Sequence, residues 1–76
     1  MTVKVRNLND AKLLAEACNL CNCSIDASTG SRFCDAKSVL GIMTLDLSSD
    51  IKLTFNCADY ELQRNITLVS EYYKVG

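Results

Sequence analysis

Apolar and polar residues alternate along four short segments of the chain, which is the pattern of strands with one buried face. The four segments are residues 2–6, 24–28, 31–36 and 51–57. The fourth is the clearest, because Ile51, Leu53 and Phe55 are separated by single polar residues. Thr29-Gly30 lies between the second and third segments and predicts a tight turn that joins them as a hairpin.

Three other segments have apolar residues at helical spacing, and each follows side chains that can accept hydrogen bonds at a helix start. The first predicted helix runs from Ala11 to about Leu20 or Asn22, and the second from Val39 to about Leu45. The third follows Asp59, which we expect to cap it. The order β-α-β-β-α-β-α predicts an α+β fold, an open-faced sandwich whose four-stranded antiparallel sheet is covered on one face by three helices.

The second predicted helix combines two apolar faces with an internal glycine. Leu40 and Met43 share one face, while Val39 and Ile42 share another. A helix this short cannot bury both faces, so one pair must be less buried and could dock a partner. Gly41 costs about 1 kcal/mol of helix stability relative to Ala. We therefore expect the helix to pack closely against the sheet or a neighbouring helix at this position.

The length of 76 residues corresponds to one domain, 1–76, near the lower limit for independent folding. Hydrophobic residues make up 49% of the chain and Pro is absent, which excludes a disordered or linker-like protein. The longest apolar stretches, such as 39–43, have about five residues, whereas a membrane span needs about 20. Met1 begins no charged and apolar leader, so we expect a soluble cytoplasmic protein that enters no membrane.

The charged residues and the missing histidine exclude several functions. The net charge is −1, and the eight basic residues are scattered among nine acidic ones, so we expect no nucleic-acid binding. The chain has no His, which removes His-based acid–base chemistry and Ser–His or Cys–His nucleophile pairs. No Gly-rich phosphate loop or nucleophile elbow is present either. We therefore predict no catalytic residue, no cofactor and no enzyme activity.

The five cysteines raise the question of a metal site. Cys18, Cys21 and Cys23 have ligand-like spacing, but zinc normally takes four ligands and a second paired set is missing. Cys34 and Cys57 occupy strand positions predicted to face the core. We expect the cysteines to serve as small core residues and predict neither a metal site nor a disulfide framework. A thiol- or metal-binding protein that uses Cys18, Cys21 and Cys23 stays open as an alternative.

One segment resembles a known family. Its sequence is Asp35-Ala-Lys-Ser38-Val-Leu-Gly41-Ile-Met43-Thr-Leu45. This segment is similar to the HPr family, the small phosphocarriers of the bacterial sugar phosphotransferase system, in which a third strand leads into Lys-Ser and a short apolar helix with internal Gly and Met. The similarity extends without a gap from about residue 22 to the end of the fourth strand. It implies the HPr-like open-faced sandwich.

The phosphocarrier site of the family is missing from this sequence. Family members that carry phosphate do so on a His within a His-x-Arg-Pro segment at the start of the first helix. The corresponding segment here is Arg6-Asn-Leu-Asn-Asp-Ala11, which has no His and no Pro. No residue therefore inherits the catalytic role. We expect this protein not to relay phosphoryl groups from phosphoenolpyruvate.

A second family site is retained. Ser38 matches the serine that an ATP-dependent kinase phosphorylates in Gram-positive members. Val39, Leu40 and Met43 match positions that dock enzymes and a transcription factor. The resemblance thus implies protein partners, an HPr kinase or a transcriptional regulator, and a role in catabolite regulation. Two alternatives stay open: Ser38 is only a helix cap on a phosphate-independent interaction module, or the protein is a relic.

Overall fold

The computed structural model describes residues 1–74, and within them the elements follow the predicted order. The strands are β1 (Thr2–Val3), β2 (Ser24–Thr29), β3 (Arg32–Asp35) and β4 (Ile51–Asn56). The helices are α1 (Leu8–Asn19), α2 (Val39–Ile42) and α3 (Asp59–Tyr72). None of the helices in this part of the chain is long and apolar enough to cross a bilayer.

The four strands form one antiparallel sheet in the order β1-β4-β2-β3. At its centre β2 pairs with β4, from Ser24 opposite Asn56 to Ser28 opposite Lys52. The hairpin from β2 to β3 turns at Gly30, whose φ of 56° suits a residue without a side chain. The alternation seen in the sequence therefore corresponds to a sheet with one buried face.

The core lies between this face and the three helices. From the sheet it receives Ile25 and Leu53, and from α1, α2 and α3 it receives Leu14, Ile42 and Val69, respectively. Each of these side chains is at most 2% exposed, and burying one such side chain contributes about 1.5–3 kcal/mol. The α+β open-faced sandwich predicted from the sequence is confirmed.

The ends of two helices differ from the prediction. The second helix ends at Ile42 rather than near Leu45, because the next amide groups bond carbonyl oxygens only three residues back: Thr44 N–H to Gly41 O and Leu45 N–H to Ile42 O. This tighter hydrogen bonding is typical of a turn after a helix. α1 begins at Leu8 rather than at residue 11, because Asn7 caps it.

The expectation that Asp59 caps the third helix is wrong. Asp59 is the first residue of α3, and the cap position is held by Ala58, whose side chain makes no hydrogen bond there. Asp59 and Glu61 instead place negative charge in the first turn, where it interacts favourably with the helix dipole. The sequence showed a suitable side chain, but one position too late.

Tyr73 fastens the end of α3 to the segment that follows β1. Its ring is 7% exposed, and its hydroxyl donates a hydrogen bond to the carbonyl oxygen of Lys4. Burial raises the pKa of the Tyr73 phenol to about 12. The contact joins two ends of the chain that are 69 residues apart in sequence.

Replacing this hydroxyl should change both the stability and its dependence on pH. The folded-state pKa of Tyr73 lies above the unfolded value of about 10, so its contribution is fully present below pH 10 and is lost as the pH rises toward 12. We expect Tyr73→Phe to lower the free energy of unfolding by about 1 kcal/mol at neutral pH and to flatten its decline in alkali. Urea unfolding at a series of increasing pH values measures both the free energy of unfolding and its decline in alkali.

The matched control is Tyr60→Phe, because the Tyr60 side chain is 90% exposed. This variant should unfold like the unsubstituted protein at every pH. If Tyr73→Phe loses stability in alkali as steeply as the unsubstituted protein, the assignment of this titration to Tyr73 is wrong.

Candidate functional site

Ser38 joins β3 to α2 and occupies the N-cap position of that helix. Its backbone is extended, with φ −104° and ψ 115°, and its Oγ accepts a hydrogen bond of 3.1 Å from the N–H of Gly41. Its own N–H donates to the carbonyl of Asp35 at 3.0 Å. The residue is half-buried. The prediction that Ser38 caps the second helix is therefore confirmed.

The turn before Ser38 is held against the C-terminal end of α1. Lys37 donates from Nζ to the carbonyl oxygen of Cys21 at 2.9 Å, and from its N–H to Oδ1 of Asp35 at 2.9 Å. Asn19, the last residue of α1, donates from Nδ2 to the carbonyl of Lys37 at 3.2 Å. Three polar contacts thus fix the segment that presents Ser38.

The α2 surface, which we define as Val39, Leu40 and Met43, is exposed to different degrees. Leu40 is 81% exposed and Met43 is 38% exposed, whereas Val39 is half-buried and packs against the core. Ile42 on the opposite face is fully buried. The expectation that one of the two apolar pairs is less buried is confirmed, and the exposed pair is Leu40 and Met43.

Gly41 sets the distance between α2 and the sheet. A Cβ atom at this position would lie 3.1 Å from Cβ of Cys34 in β3 and 3.4 Å from Cβ of Ser38. The distance to Cys34 is shorter than side-chain contacts normally are, so Gly lets the helix approach the strand. The close packing expected from the sequence is confirmed, and it brings the Ser38 cap and the α2 surface together at one end of β3.

The start of α1 is closed by contacts within the chain. Asn7 Oδ1 accepts from the N–H of Asp10 at 2.9 Å, and Asp10 Oδ2 accepts from the N–H and the Nε of Arg6, each at 3.0 Å. The arrangement is a variant of the capping box, in which two side chains satisfy the free amide groups of a helix start reciprocally. The hydrogen bond from the Arg6 side chain lowers the pKa of Asp10. A carboxylate therefore occupies the helix start at which the family resemblance would place a phosphoryl-accepting His.

The three cysteines with ligand-like spacing do not form one site. Cys18 and Cys21 are buried as free thiols, and burial raises the pKa of Cys18 to about 12 and also raises that of Cys21. Cys23 is bonded instead to Cys57 in a disulfide. The structure thus does not bring together the three ligands of the alternative thiol or metal site, and it contains one disulfide although we expected no disulfide framework.

The disulfide follows from the strand register. Cys23 and Cys57 lie one position beyond the last pair of β2 and β4, Ser24 opposite Asn56, and their Cα atoms are 5.2 Å apart. Such a distance suits a disulfide. The sequence contained this signal only in combination with the pairing of β2 and β4, which are not consecutive strands.

A protein-family model described as the PTS HPr component phosphorylation site matches residues 6–74. The match includes the start of α1, the Ser38 turn, the α2 surface and almost all of the described chain. A search of curated protein sequences found no match.

The fold is similar to solved structures that cover most of this chain. HPr-C-His from Thermoanaerobacter tengcongensis aligns with a TM-score of 0.75 at 21% identity, covering 96% of this chain and 88% of that one. A phosphocarrier protein HPr from Bacillus anthracis aligns with a TM-score of 0.69 at 20% identity, covering 97% and 94%. Crh of Bacillus subtilis, described as a catabolite repression protein and a domain-swapped dimer, aligns at 0.64 with 18% identity, covering 99% and 90%.

The contacts of Asp10 at the start of α1 predict how the free energy of unfolding depends on pH in the acidic range. The folded-state pKa of Asp10 is lowered, so its ionised form stabilises the fold above the unfolded pKa of about 4, and this contribution is lost as the pH falls through the folded value. We expect Asp10→Asn to be less stable at neutral pH and to lose less stability between about pH 5 and pH 2. Urea midpoints followed by circular dichroism test this.

Asp50→Asn is the control, because its exposed carboxylate lies outside the helices and makes only a surface ion pair with Lys4 at 3.9 Å. This variant should keep the acid dependence of the unsubstituted protein. Equal acid slopes for Asp10→Asn and the unsubstituted protein would contradict the role assigned to Asp10.

Proposed function

The chain belongs to the HPr family, and we propose that it is a regulatory member that is phosphorylated at Ser38 and does not carry phosphate on a histidine. Members of this family are phosphocarriers that act through protein partners of the phosphotransferase system rather than as enzymes. For this chain the proposed partners are an HPr kinase and a transcriptional regulator of catabolite control. The observation that carries the proposal is the position of a capping serine directly beside an exposed apolar helix face.

The absence of the phosphocarrier reaction follows from two features. The sequence contains no His, so no imidazole can take the phosphoryl group. At the start of α1, Asp10 already accepts two hydrogen bonds from Arg6, and Asn7 already accepts one from Asp10. The carboxylate of Asp10 would repel an incoming phosphate at this point, and its ion pair of 3.0 Å already occupies Nε of Arg6.

The chemistry at Ser38 is a transfer of the terminal phosphoryl group of ATP. The Ser38 Oγ would attack the γ-phosphorus, ADP would leave, and the hydroxyl proton would pass to a base of the kinase. Oγ is bound by the N–H of Gly41, a contact of 3.1 Å that links the hydroxyl to the first turn of α2. The product adds three strong acceptor oxygens beside this N–H, which allows charge-assisted hydrogen bonding in place of the neutral cap.

Partner proteins are proposed to dock on the α2 surface. Leu40 extends into solvent with 81% of its surface exposed, and Met43 adds a flexible apolar side chain three residues later. Met adapts to irregular partner surfaces, and an exposed apolar pair beside a phosphorylation site allows a partner to recognise both features together. The resemblance of the fold to Crh, which is described as a catabolite repression protein, supports the same role.

A second candidate function is an interaction module that needs no phosphate. The exposure of Leu40 favours it independently of Ser38, because an apolar docking surface works whether or not the neighbouring hydroxyl is modified. In this case Ser38 would be only the cap of α2, and both candidates would use the same surface.

The first test is phosphorylation by ATP and an HPr kinase, measured as intact mass. We expect one added phosphoryl group on the unsubstituted protein and none on Ser38→Ala. The control is Ser31→Ala, which removes an exposed serine in the turn between β2 and β3 and should leave phosphorylation unchanged. Phosphate uptake that persists in Ser38→Ala would remove Ser38 from the proposal.

The second test separates the two candidate functions. The dissociation constant for the transcriptional regulator is measured by calorimetry with phosphorylated protein, with unmodified protein and with Leu40→Asp. We expect binding to require the phosphate and to weaken about tenfold or more in Leu40→Asp, which is about 1.4 kcal/mol. Tyr60→Asp changes an equally exposed residue on α3 and should bind normally.

The remaining outcomes also decide between the two candidates. Equal binding of Ser38→Ala and phosphorylated protein, with loss in Leu40→Asp, would establish the phosphate-independent module. If Leu40→Asp binds the regulator as tightly as the unsubstituted protein, the α2 surface is not the docking surface in either candidate function.

A further inference from the structure

A group of metal-binding atoms lies at the end of the sheet away from the turn between β2 and β3. It consists of Sγ of Cys23, just before β2, Sγ of Cys57, just after β4, and a carboxylate oxygen of Glu61 in the first turn of α3. These atoms all lie within 4.8 Å of one another. The register of β2 and β4 brings the two sulfurs together, and the short connection from β4 to α3 adds the carboxylate.

A buried amide on α3 faces the same sulfurs. Asn65 is fully buried, and its Nδ2 donates to Sγ of Cys57 at 3.2 Å and to Sγ of Cys23 at 3.4 Å. Its Oδ1 is buried and has no hydrogen-bond partner in the described chain. Buried polar atoms without a partner are rare in folded proteins. Asn65 therefore directs its Nδ2 at the sulfur pair, while its Oδ1 is left without a hydrogen-bond partner in the described chain.

A cation bound to the sulfurs would gain the oxygen of this amide as a ligand if the amide turned. The oxygen and nitrogen of an Asn side chain exchange places when the amide turns by half a rotation. Oδ1 of Asn65 would then lie where Nδ2 lies now, beside both sulfurs, and a neutral amide oxygen is a suitable partner for a cation. In the original orientation, N–H donation to the sulfurs stabilises their thiolate form.

From this cluster we propose that reduced Cys23 and Cys57, together with Glu61, form a binding site for one Zn²⁺ ion. Two thiolates and a carboxylate are ligands that zinc takes, and Asn65 Oδ1 or water supplies the fourth. Thiolates disfavour Ca²⁺ and Mg²⁺, while the carboxylate favours Zn²⁺ over Cu⁺, which prefers sulfur alone. Arg64 lies 3.8 Å from Oε2 of Glu61 and offsets the negative charge that three anionic ligands would bring.

The site alternates with the disulfide, since bonded sulfurs cannot act as thiolate ligands. A dithiol reductant gives two electrons and two protons to the Cys23–Cys57 bond, which yields two thiols and the oxidised reductant. Zn²⁺ then displaces both thiol protons to solvent as it binds. The disulfide and the zinc site both link β2 to β4, and the zinc site also links them to α3 through Glu61.

The test uses metal alone with fully reduced protein under anaerobic conditions. Co²⁺ serves as the spectroscopic probe for the zinc site, and Zn²⁺ is added afterwards to displace it. We expect one equivalent of Co²⁺ to produce thiolate-to-cobalt charge-transfer absorption, which Zn²⁺ abolishes and which the disulfide form never shows. Glu61→Gln should keep this absorption but weaken binding about tenfold or more.

The controls locate the site within the chain. Cys34→Ser removes a free, half-buried cysteine outside the cluster and should bind Co²⁺ normally, whereas Cys23→Ser should not bind it. A second measurement needs no variant: in the unsubstituted reduced protein, Zn²⁺ should protect Cys23 and Cys57 from alkylation, as read by peptide mass. A reduced protein that takes up no stoichiometric Zn²⁺, or Zn²⁺ that protects other cysteines instead, would overturn the proposal.

Discussion

Antiparallel pairing between β2 and β4 holds the centre of the sheet, and each chemically interesting part of the molecule is placed relative to it. The pairing directs Ile25 and Leu53 into the core, where the three helices cover them. β3 is added to the outer side of β2 and leads directly into Ser38 and α2. At the same end of β2, continuing the register of β2 and β4 by one position sets Cys23 opposite Cys57. β2 thus connects both sites, because its pairing with β4 places the cysteines and its pairing with β3 leads to the serine.

The hydrogen bonds at the starts of α1 and α2 bear on the proposal that the phosphoryl group is bound at Ser38 and not at α1. At α1, Asn7 accepts from the N–H of Asp10, and the Asp10 carboxylate accepts from the N–H and Nε of Arg6. At α2 the corresponding contact is a single neutral bond from the N–H of Gly41 to the hydroxyl of Ser38. At α1 a phosphoryl group would be repelled by the carboxylate of Asp10. At α2 it would add acceptor oxygens where the hydroxyl of Ser38 already accepts a hydrogen bond. These contacts support the proposal that Ser38 takes the phosphoryl group in a chain that contains no His.

Much of the fold was predictable because short-range patterns encode it. Alternation and helical spacing identified all seven elements, and residues 35–45 identified the family. Details that depend on long-range pairing were not predictable. The spacing of the apolar residues in α2 leaves its two faces equivalent, and only the packed structure shows that Ile42 is buried while Leu40 is exposed. The disulfide joins residues 34 apart in sequence that flank two non-consecutive strands, so the spacing of the cysteines alone did not indicate it. The cap of α3 was misplaced by one residue, within the usual uncertainty of helix ends.

We propose that the start of α1 accepts no phosphoryl group in this member of the HPr family. The intact mass of the protein is measured after incubation with phosphoenolpyruvate and Enzyme I, beside a histidine-bearing HPr as the positive control. We expect the control to gain a phosphoryl group and this protein, which has no His, to keep its mass unchanged. A phosphoryl group gained by this protein would show that another residue acts as the acceptor and that the proposal is wrong.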